Sequence, residues 1–246
     1  ESTGQTFMHL LKVSGAAALQ GEAIYGHHTQ GRYYLTKHKA EISYYKERAE
    51  LLLKKASPLM EIFRENSMMP YHAFLQADAK TSGKRYHILS ALPLQTLNSS
   101  LLEDILNQNQ INKEDAQKIK TYIDKKSTQI QQILSHDMIT EEFPILSKEE
   151  FSRFPIALPL SDIFYEKNIY YTWEMYKQHL ESTLNYEKIH QNYCIKQNQQ
   201  SAFRNIQIQI CEGKWAVISK SNSPAIHFVI EHKKLRHAIE NMVMPL

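Results

Sequence analysis

Apolar and polar residues alternate near the C-terminus with the period of a β-strand. In Phe203–Cys211, the residues Ile206, Ile208 and Ile210 are separated by amide side chains. A period of two places successive side chains on opposite faces of a strand. The pattern therefore predicts a half-buried strand, with the isoleucines on the inner face and the amides on the other.

The residues that follow predict the rest of a meander and a helix. Glu212-Gly213 is typical of a two-residue hairpin link, because glycine adopts positive φ without steric strain. Trp215–Lys220 is therefore expected to return antiparallel. Ala225–Glu231 alternates again, and the apolar spacing becomes helical from Lys233. A sheet with one apolar face and an amphipathic helix can form a common core.

Helical spacing dominates the N-terminal half. The apolar segment Thr6–Ile24 is predicted to form one or two short helices, followed by a loop over Tyr25–Gly31. Apolar residues at three- and four-residue steps predict a long helix over Tyr33–Arg64. Pro58 should interrupt this helix, because proline lacks the amide hydrogen that a helix uses.

The middle of the chain predicts a hairpin and further helices. The hairpin covers residues 71–92, with strands at Tyr71–Ala77 and Arg85–Leu92, and would extend the meander to a five-stranded sheet. Gln191–Gln200 is predicted to be a polar loop. Capping signals and apolar spacing predict four helices, at Ser100–Leu106, Asn112–Ser135, Ser147–Phe154 and Ile169–His190.

A proline-rich segment suggests the division into subdomains. His136–Asp162 holds Pro144, Pro155 and Pro159, but it is too apolar for a flexible tether. We therefore expect a packed connection between two subdomains. The first, residues 1–142, is mainly helical and contains the possible hairpin. The second, residues 143–246, contains a helix, the meander and the terminal helix. The predicted fold class is α+β, with a mainly helical N-terminal half packed against a C-terminal antiparallel sheet.

Composition narrows the classes of function. The 246 residues carry a formal charge of +3, with 29 basic and 26 acidic side chains, which by itself does not indicate a nucleic-acid binder. Two cysteines in a chain of this length favour a reducing cytosol, although one disulfide between Cys194 and Cys211 stays open. No apolar run approaches the roughly 18 residues that span a bilayer.

The familiar motifs of catalysis and metal binding are missing from the sequence. Twelve histidines show neither the paired spacing nor the cysteine partners of a zinc site. Glycine-rich phosphate loops are also absent, and Cys194 near His190 lacks the flanking residues of an activated thiol. We therefore predict no catalytic residues, metal ligands or cofactor.

One aromatic helix face favours ligand binding. Trp173 and Tyr176 lie about one helical turn apart, and His72 and His87 lie on the two strands of the predicted hairpin. These four residues are predicted to line a mostly apolar pocket between the subdomains, where imidazole and phenol groups can form hydrogen bonds. The alternative is that the aromatic residues only pack the helix against the sheet.

Two stretches carry a resemblance to a known family. The tail AFRNIQIQICEGKWAVISKSNSPAIHFVIEHKKLRHAIENMVMPL resembles the end of C-terminal regulatory domains in bacterial helix-turn-helix transcription regulators. The stretch YYKERAELLLKKASPLMEIF, residues 44–63, resembles the linker-side helix that such proteins use for pairing. The chain departs from the family because Thr6–Ile24 is too short for a helix-turn-helix and lacks a basic recognition helix.

The resemblance implies a cytoplasmic regulator that forms a homodimer and binds a small-molecule or peptide effector. A DNA-binding domain would have to precede Glu1, and DNA would be contacted only through it. The leading hypothesis is an effector-sensing and dimerisation domain that does not catalyse a reaction. The alternatives are an enzyme without a familiar motif, which uses some of the Tyr and His residues, and a structural or partner-binding module.

Overall fold

The structure is a computed structural model that describes residues 6–24, 26–198, 205–221 and 223–244. The chain forms two compact units, Glu1–Pro58 and Leu59–Leu246. We call them the N-terminal unit and the C-terminal unit. Helices and strands occur in both, which confirms the α+β class.

The described residues of the N-terminal unit form three strands and one helix. The strands β1 (Thr6–Val13), β2 (Ala18–Ile24) and β3 (His27–Thr36) make an antiparallel sheet in that order, and α1 covers Lys39–Lys55. The prediction of helices over Thr6–Ile24 and of a loop after Ile24 is therefore wrong; Tyr25 itself lies outside the described residues.

Local contacts explain why the apolar segment Thr6–Ile24 forms a hairpin. The Ser14 amide donates to the Ala17 carbonyl at 2.8 Å, and the Ser14 hydroxyl accepts from the Ala17 amide at 3.1 Å, which closes a tight turn. In the middle of β2, a side chain at Gly21 would meet the rings of His9 and Tyr33 at 3.0 Å. Glycine thus lets neighbouring strands carry large rings side by side.

The long N-terminal helix is confirmed only over Lys39–Lys55. β3 extends through Thr36, so the predicted start at Tyr33 is wrong. The helix ends at Lys55, three residues before Pro58, and the residue before a proline disfavours helical geometry. None of its described side chains is buried.

Seven strands in the described part of the C-terminal unit form one mixed sheet. Their order is β4-β10-β9-β8-β5-β6-β7; neighbours from β4 to β5 are antiparallel, whereas β5, β6 and β7 are parallel. The strands are β4 (Glu61–Phe63), β5 (Arg85–Ile88), β6 (Ile139–Pro144), β7 (Tyr193–Asn198), β8 (Ile206–Cys211), β9 (Trp215–Lys220) and β10 (Ile226–Ile230).

Helices surround this sheet. They are α2 (Met68–Asp78), α3 (Ser99–Gln108), α4 (Lys113–Leu134), α5 (Lys148–Arg153), α6 (Trp173–Ile189) and α7 (Lys233–Val243). Asn98, Asn112, Ser147 and Thr172 accept hydrogen bonds from the first turns of α3 to α6, which fixes where these helices begin. The predicted division between residues 142 and 143 lies inside β6.

The C-terminal meander and the helix after it are confirmed. β8 and β9 pair antiparallel across Glu212-Gly213, where Gly213 has φ of 74°, and β9 pairs with β10. Ile208 and Ile210 are buried and Ile206 is half-buried, and they pack with α7. Phe203, the predicted start of the first strand, lies outside the described residues.

One predicted strand and one predicted loop of this unit are wrong. The predicted strand Tyr71–Ala77 belongs to helix α2, so residues 71–92 form no hairpin, and β5 instead pairs with β8 and β6. A short apolar run fits the period of a strand as well as that of a helix. In the structure the segment is helical, and the helix buries Tyr71. The predicted loop Gln191–Gln200 contains β7, a polar edge strand.

Apolar packing on both faces of the sheet forms the core of this unit. The largest cluster joins α3, α4 and α6 to the sheet through residues such as Ile105, Ile119 and Phe143. Cys194 and Cys211 are free thiols, which settles the question of a disulfide between them. None of the helices within the described ranges is long and apolar enough to cross a bilayer.

A candidate binding pocket on the polar face of the sheet

The two faces of the C-terminal sheet differ in polarity. The alternating residues of β8 place Ile208 and Ile210 toward α7, and Gln207 and Gln209 on the opposite face. The amide face is not open to solvent, since Gln207 is only 4% exposed. The prediction that β8 is exposed on one face is therefore wrong. Both faces of β8 are covered, and on one of them the covering elements lie over amide side chains.

Strand register gathers polar side chains from three neighbouring strands on this face. His87 of β5 is paired with Glu141 of β6 on one side and with Gln209 of β8 on the other. Paired residues of adjacent strands point to the same face of a sheet. Three polar side chains that are distant in sequence thus form one row across the middle of the sheet.

A cavity of about 70 Å³ lies between this row and the helices α2 and α4. The segment Ala91–Gln95, which follows β5, forms another wall. We call the cavity the polar pocket. It is lined by two ion pairs described below, by apolar residues, and by His87, Gln95, Gln129, Glu141, Gln207 and Gln209.

Glu141 is the centre of a hydrogen-bond network in the polar pocket. Its carboxylate is 2% exposed and lies 3.1 Å from Nδ1 of His87 through Oε1. Oε2 accepts from the Gln95 amide at 3.0 Å and from the Tyr193 hydroxyl. Burial and the nearby Glu141 charge raise the pKa of Tyr193, so its hydroxyl keeps the proton that it donates. These donors compensate for taking a carboxylate out of water.

The same network fixes the orientation of His87. With Nδ1 donating to Glu141, Nε2 is the ring nitrogen left for the cavity, and no residue in the described ranges forms a hydrogen bond to it. A carboxylate on one imidazole nitrogen selects the tautomer in which the other nitrogen can accept a hydrogen bond. His87 can therefore accept a hydrogen bond from a molecule in the pocket, or donate one when protonated.

Arg85 and Asp78 form a closed ion pair at one end of the polar pocket. The guanidinium NH2 lies 3.1 Å from Asp78 Oδ2, and the same guanidinium donates to the carbonyls of Gly83 and Thr81 at 2.9 and 2.8 Å. The carboxylate also accepts from the Trp215 indole at 2.7 Å. Because the donors of Arg85 are used within the protein, this residue ties α2 to the sheet and is not available to an anionic ligand.

Asp162 and Lys126 form a second ion pair, 2.9 Å long. Tyr122 donates to the same carboxylate oxygen at 2.7 Å. Burial alone raises the pKa of Asp162, but Lys126, His227 and the two hydrogen bonds outweigh burial and leave the pKa below its ordinary value. The Asp162 charge is therefore retained and neutralised within the protein.

The structure separates the four residues predicted to line a pocket. His87 lines the polar pocket. His72 lies outside it on α2, where Nε2 is 2.7 Å from the backbone carbonyl of Asp162. Trp173 and Tyr176 stack on each other, with ring centroids 5.7 Å apart, in the apolar cluster beside Phe151. Whether any of the four binds a ligand stays a prediction.

Tyr176 has its hydrogen-bonding groups engaged by the backbone. Its hydroxyl accepts from the Leu146 amide at 3.0 Å and donates to the Pro144 carbonyl at 3.4 Å. The ring is fully buried. This geometry matches the structural alternative, in which aromatic residues pack α6 against the sheet.

Sequence reasoning identified His87 but missed its partners. Glu141 lies on β6, which the sequence did not predict, and Gln95 lies in the short turn after β5. The alternation of Gln207 and Gln209 with isoleucines marks a face of amides in the sequence. It does not indicate that helices cover this face, because antiparallel strands commonly have one face open to water.

The described residues contain no group of three His, Cys, Asp or Glu side chains placed to hold a metal ion. Comparison with protein-family models, with curated proteins and with solved structures finds no significant match to the chain.

Proposed function

We propose that the C-terminal unit is an effector-sensing domain and that the polar pocket is its ligand site. The observation that carries the proposal is the pocket floor, where His87, Gln207 and Gln209 lie on buried strands with hydrogen-bonding capacity that the protein does not use. Most buried polar groups in proteins have partners. Groups left available in a cavity are therefore suited to a ligand or to bound water.

The position of the polar pocket suits a sensor. Its floor is the middle of the sheet and its walls are α2, α4 and the turn after β5, so one ligand can contact several elements at once. A ligand that binds only the folded unit stabilises it by mass action. Binding would thus favour one arrangement of these elements, which is the property a sensor needs.

We further propose that the chain acts in the cytoplasm as the sensing and dimerising part of a transcription regulator. The resemblance of its tail and of residues 44–63 supports this class, and DNA would be contacted through a domain that this sequence does not contain. Dimerisation is supported by the N-terminal unit, whose buried side chains in the described residues are the small ones of Ala18, Ala23 and Thr36. Large apolar side chains of α1, such as Leu51 and Leu53, are exposed instead.

Light scattering at micromolar concentration tests the homodimer. The chain should show twice its monomer mass. Leu51→Lys should shift the mass toward the monomer, because it places a charge on the exposed apolar surface of α1. Gln132→Lys introduces the same charge on an exposed face of α4 and should leave the mass unchanged. A monomeric parent chain would remove dimerisation from the proposal.

A second candidate function is catalysis in the same pocket. It is favoured by the Glu141–His87 pair, since a carboxylate that orients an imidazole is the arrangement of a general base. The described residues place no hydroxyl or thiol within hydrogen-bond distance of His87 Nε2, so the substrate or a water would have to supply the reacting proton. Turnover of a metabolite that disappears in His87→Gln would favour this candidate over sensing.

A thermal-shift screen of metabolites and short peptides tests the sensing proposal. Hits should raise the melting temperature of the parent chain and of the control Gln132→Leu, whose amide lies on the exposed side of α4. The same hits should lose their effect on Gln209→Leu. If Gln209→Leu responds as the parent does, the polar pocket is not the ligand site.

A further inference from the structure

We infer that the polar pocket selects a small uncharged group with both hydrogen-bond donors and acceptors, such as a primary carboxamide or a urea. The inference rests on the proposed function, because it takes the polar pocket to be the ligand site. It adds the chemical class of the ligand, or of the part of a larger ligand that enters the cavity.

The charged groups that line the polar pocket are already engaged within the protein. The carboxylates in the lining are Asp78, Glu141 and Asp162, and each is already engaged by protein donors. The basic side chains, Arg85 and Lys126, are held in ion pairs with two of them. Since a buried ion needs a counter-charge, a carboxylate ligand would have to break one of these ion pairs in order to be neutralised. An ammonium ligand would have to compete with the hydrogen-bond donors that already hold Glu141.

Several uncharged groups of the lining stay available. Gln95 and Gln207 each donate one N–H within the protein, to Glu141 and to the Ser90 hydroxyl, which leaves the carbonyl oxygen and the second N–H of each amide. Gln129 and Gln209 form no side-chain hydrogen bond among the described residues, so both ends of each amide are available. With Nε2 of His87, the unused capacity consists of uncharged donors and acceptors.

A primary amide matches the unused hydrogen-bonding groups of the lining. An amide group offers an NH2 donor and a carbonyl acceptor, so it satisfies side-chain amides in both senses. A carboxylate offers acceptors alone and leaves the glutamine carbonyls without donors, whereas an ammonium offers donors alone. Buried polar groups that lose water without gaining a partner weaken binding.

The size of the cavity agrees with a small group. At about 70 Å³ it has less than half the volume of a cavity of roughly 150 Å³ that holds benzene. Acetamide has four non-hydrogen atoms and is a suitable probe. By the limits known for very small ligands, its dissociation constant should be no lower than roughly tens of micromolar. Lys126 and Gln129 are only half-buried, which leaves the α4 wall accessible to solvent.

Titration of acetamide, of its charged isostere acetate and of the smaller cation methylammonium tests the inference. The side-chain amide signals of Gln207 and Gln209 are followed by nuclear magnetic resonance at neutral pH. Acetamide should shift these signals and bind at least about tenfold more tightly than the two ions. Gln209→Leu should weaken acetamide binding, and Gln132→Leu should not. If Gln209→Leu fails to fold, Gln129→Leu on the solvent-accessible wall replaces it.

The possible failures are distinct. If acetate or methylammonium shifts the glutamine signals and acetamide does not, the ligand class is wrong while the polar pocket remains a binding site. If none of the three shifts them at about 0.1 M, the pocket binds none of these groups and the proposed function fails together with the inference.

Discussion

The two faces of β8 show how one strand can serve two purposes. On one face Ile208 and Ile210 pack against α7, and removal of apolar surface from water stabilises the unit. On the other face Gln207 and Gln209 meet a cavity, where burial of amides contributes little to stability and requires partners. The isoleucine face maintains the fold, and under our proposal the amide face is kept for a ligand.

The polar face itself has a rigid edge and an available centre. At the edge, Asp78 and Arg85 satisfy each other and hold α2 on the sheet. At the centre, His87 and the glutamines of β8 have unused hydrogen-bonding groups. A binding site that is held by satisfied ion pairs keeps its geometry while its central groups stay available.

Asp78→Ala should give the largest loss of stability, because it removes the nearer carboxylate of the buried Arg85 and the acceptor of the Trp215 indole. Arg85 then has Asp137, 3.7 Å from its guanidinium, as the more distant counter-charge. We expect the free energy of unfolding to fall by about 3–5 kcal/mol in chemical denaturation. The control is Glu174→Ala, which removes the exposed ion pair with Lys177 and should change stability by less than about 1 kcal/mol. Equal effects of the two substitutions would show that the edge of the polar face is not rigid.

Ile208→Ala tests the apolar face. Ile208 is 3% exposed, so its truncation leaves a cavity, and the free energy of unfolding should fall by about 2–4 kcal/mol. Ile206 lies on the same face but is half-buried, and Ile206→Ala should have the smaller effect. An Ile206 effect as large as that of Ile208 would contradict the assignment of this face to stability.

His179 should make stability depend on pH, in contrast to the paired charges of the polar face. It is fully buried beside Tyr171 and Thr96, and burial lowers its pKa to about 4, although the Pro93 carbonyl opposes this shift. The folded chain therefore favours neutral His179. The stabilisation that comes from neutral His179 is fully present above the unfolded-state pKa of roughly 6.5. It is lost as the pH falls toward 4, and the free energy of unfolding should then decrease by up to about 3 kcal/mol.

Chemical denaturation at about pH 7 and at about pH 4, which bracket the pKa of His179 in the unfolded chain, measures this dependence. His179→Gln should show a shallower loss of stability over this range than the parent chain. The control His237→Gln alters an exposed imidazole and should follow the parent. A slope that is the same in all three proteins would show that His179 is not held neutral by the fold.

The predictable parts of the fold were those with local signals. The meander, the Glu212-Gly213 link and the helix after Lys233 follow from periods in neighbouring residues. β6 and β7 were missed because parallel pairing joins residues far apart in sequence, such as Glu141 and Ile195. Thr6–Ile24 was predicted as helix because its small apolar residues fit that period, while the turn at Ser14 and the pairing around Gly21 decide otherwise.

The site was harder to predict than the fold. His87 was chosen as a residue on a strand, but its significance depends on Glu141, which register places beside it. The amides of β8 were visible in the sequence and were assigned to the outer face. Only the strands and helices on both sides of β8 turn that face into the floor of a pocket.

Combined unfolding and binding measurements on Gln209→Leu test the central claim most directly. If the amide face is kept for a ligand, the free energy of unfolding should stay within about 1 kcal/mol of the parent, because an apolar side chain of similar size replaces an amide without protein partners. Acetamide binding should weaken at least about tenfold. A loss of stability as large as that of Ile208→Ala, with unchanged acetamide binding, would contradict the account.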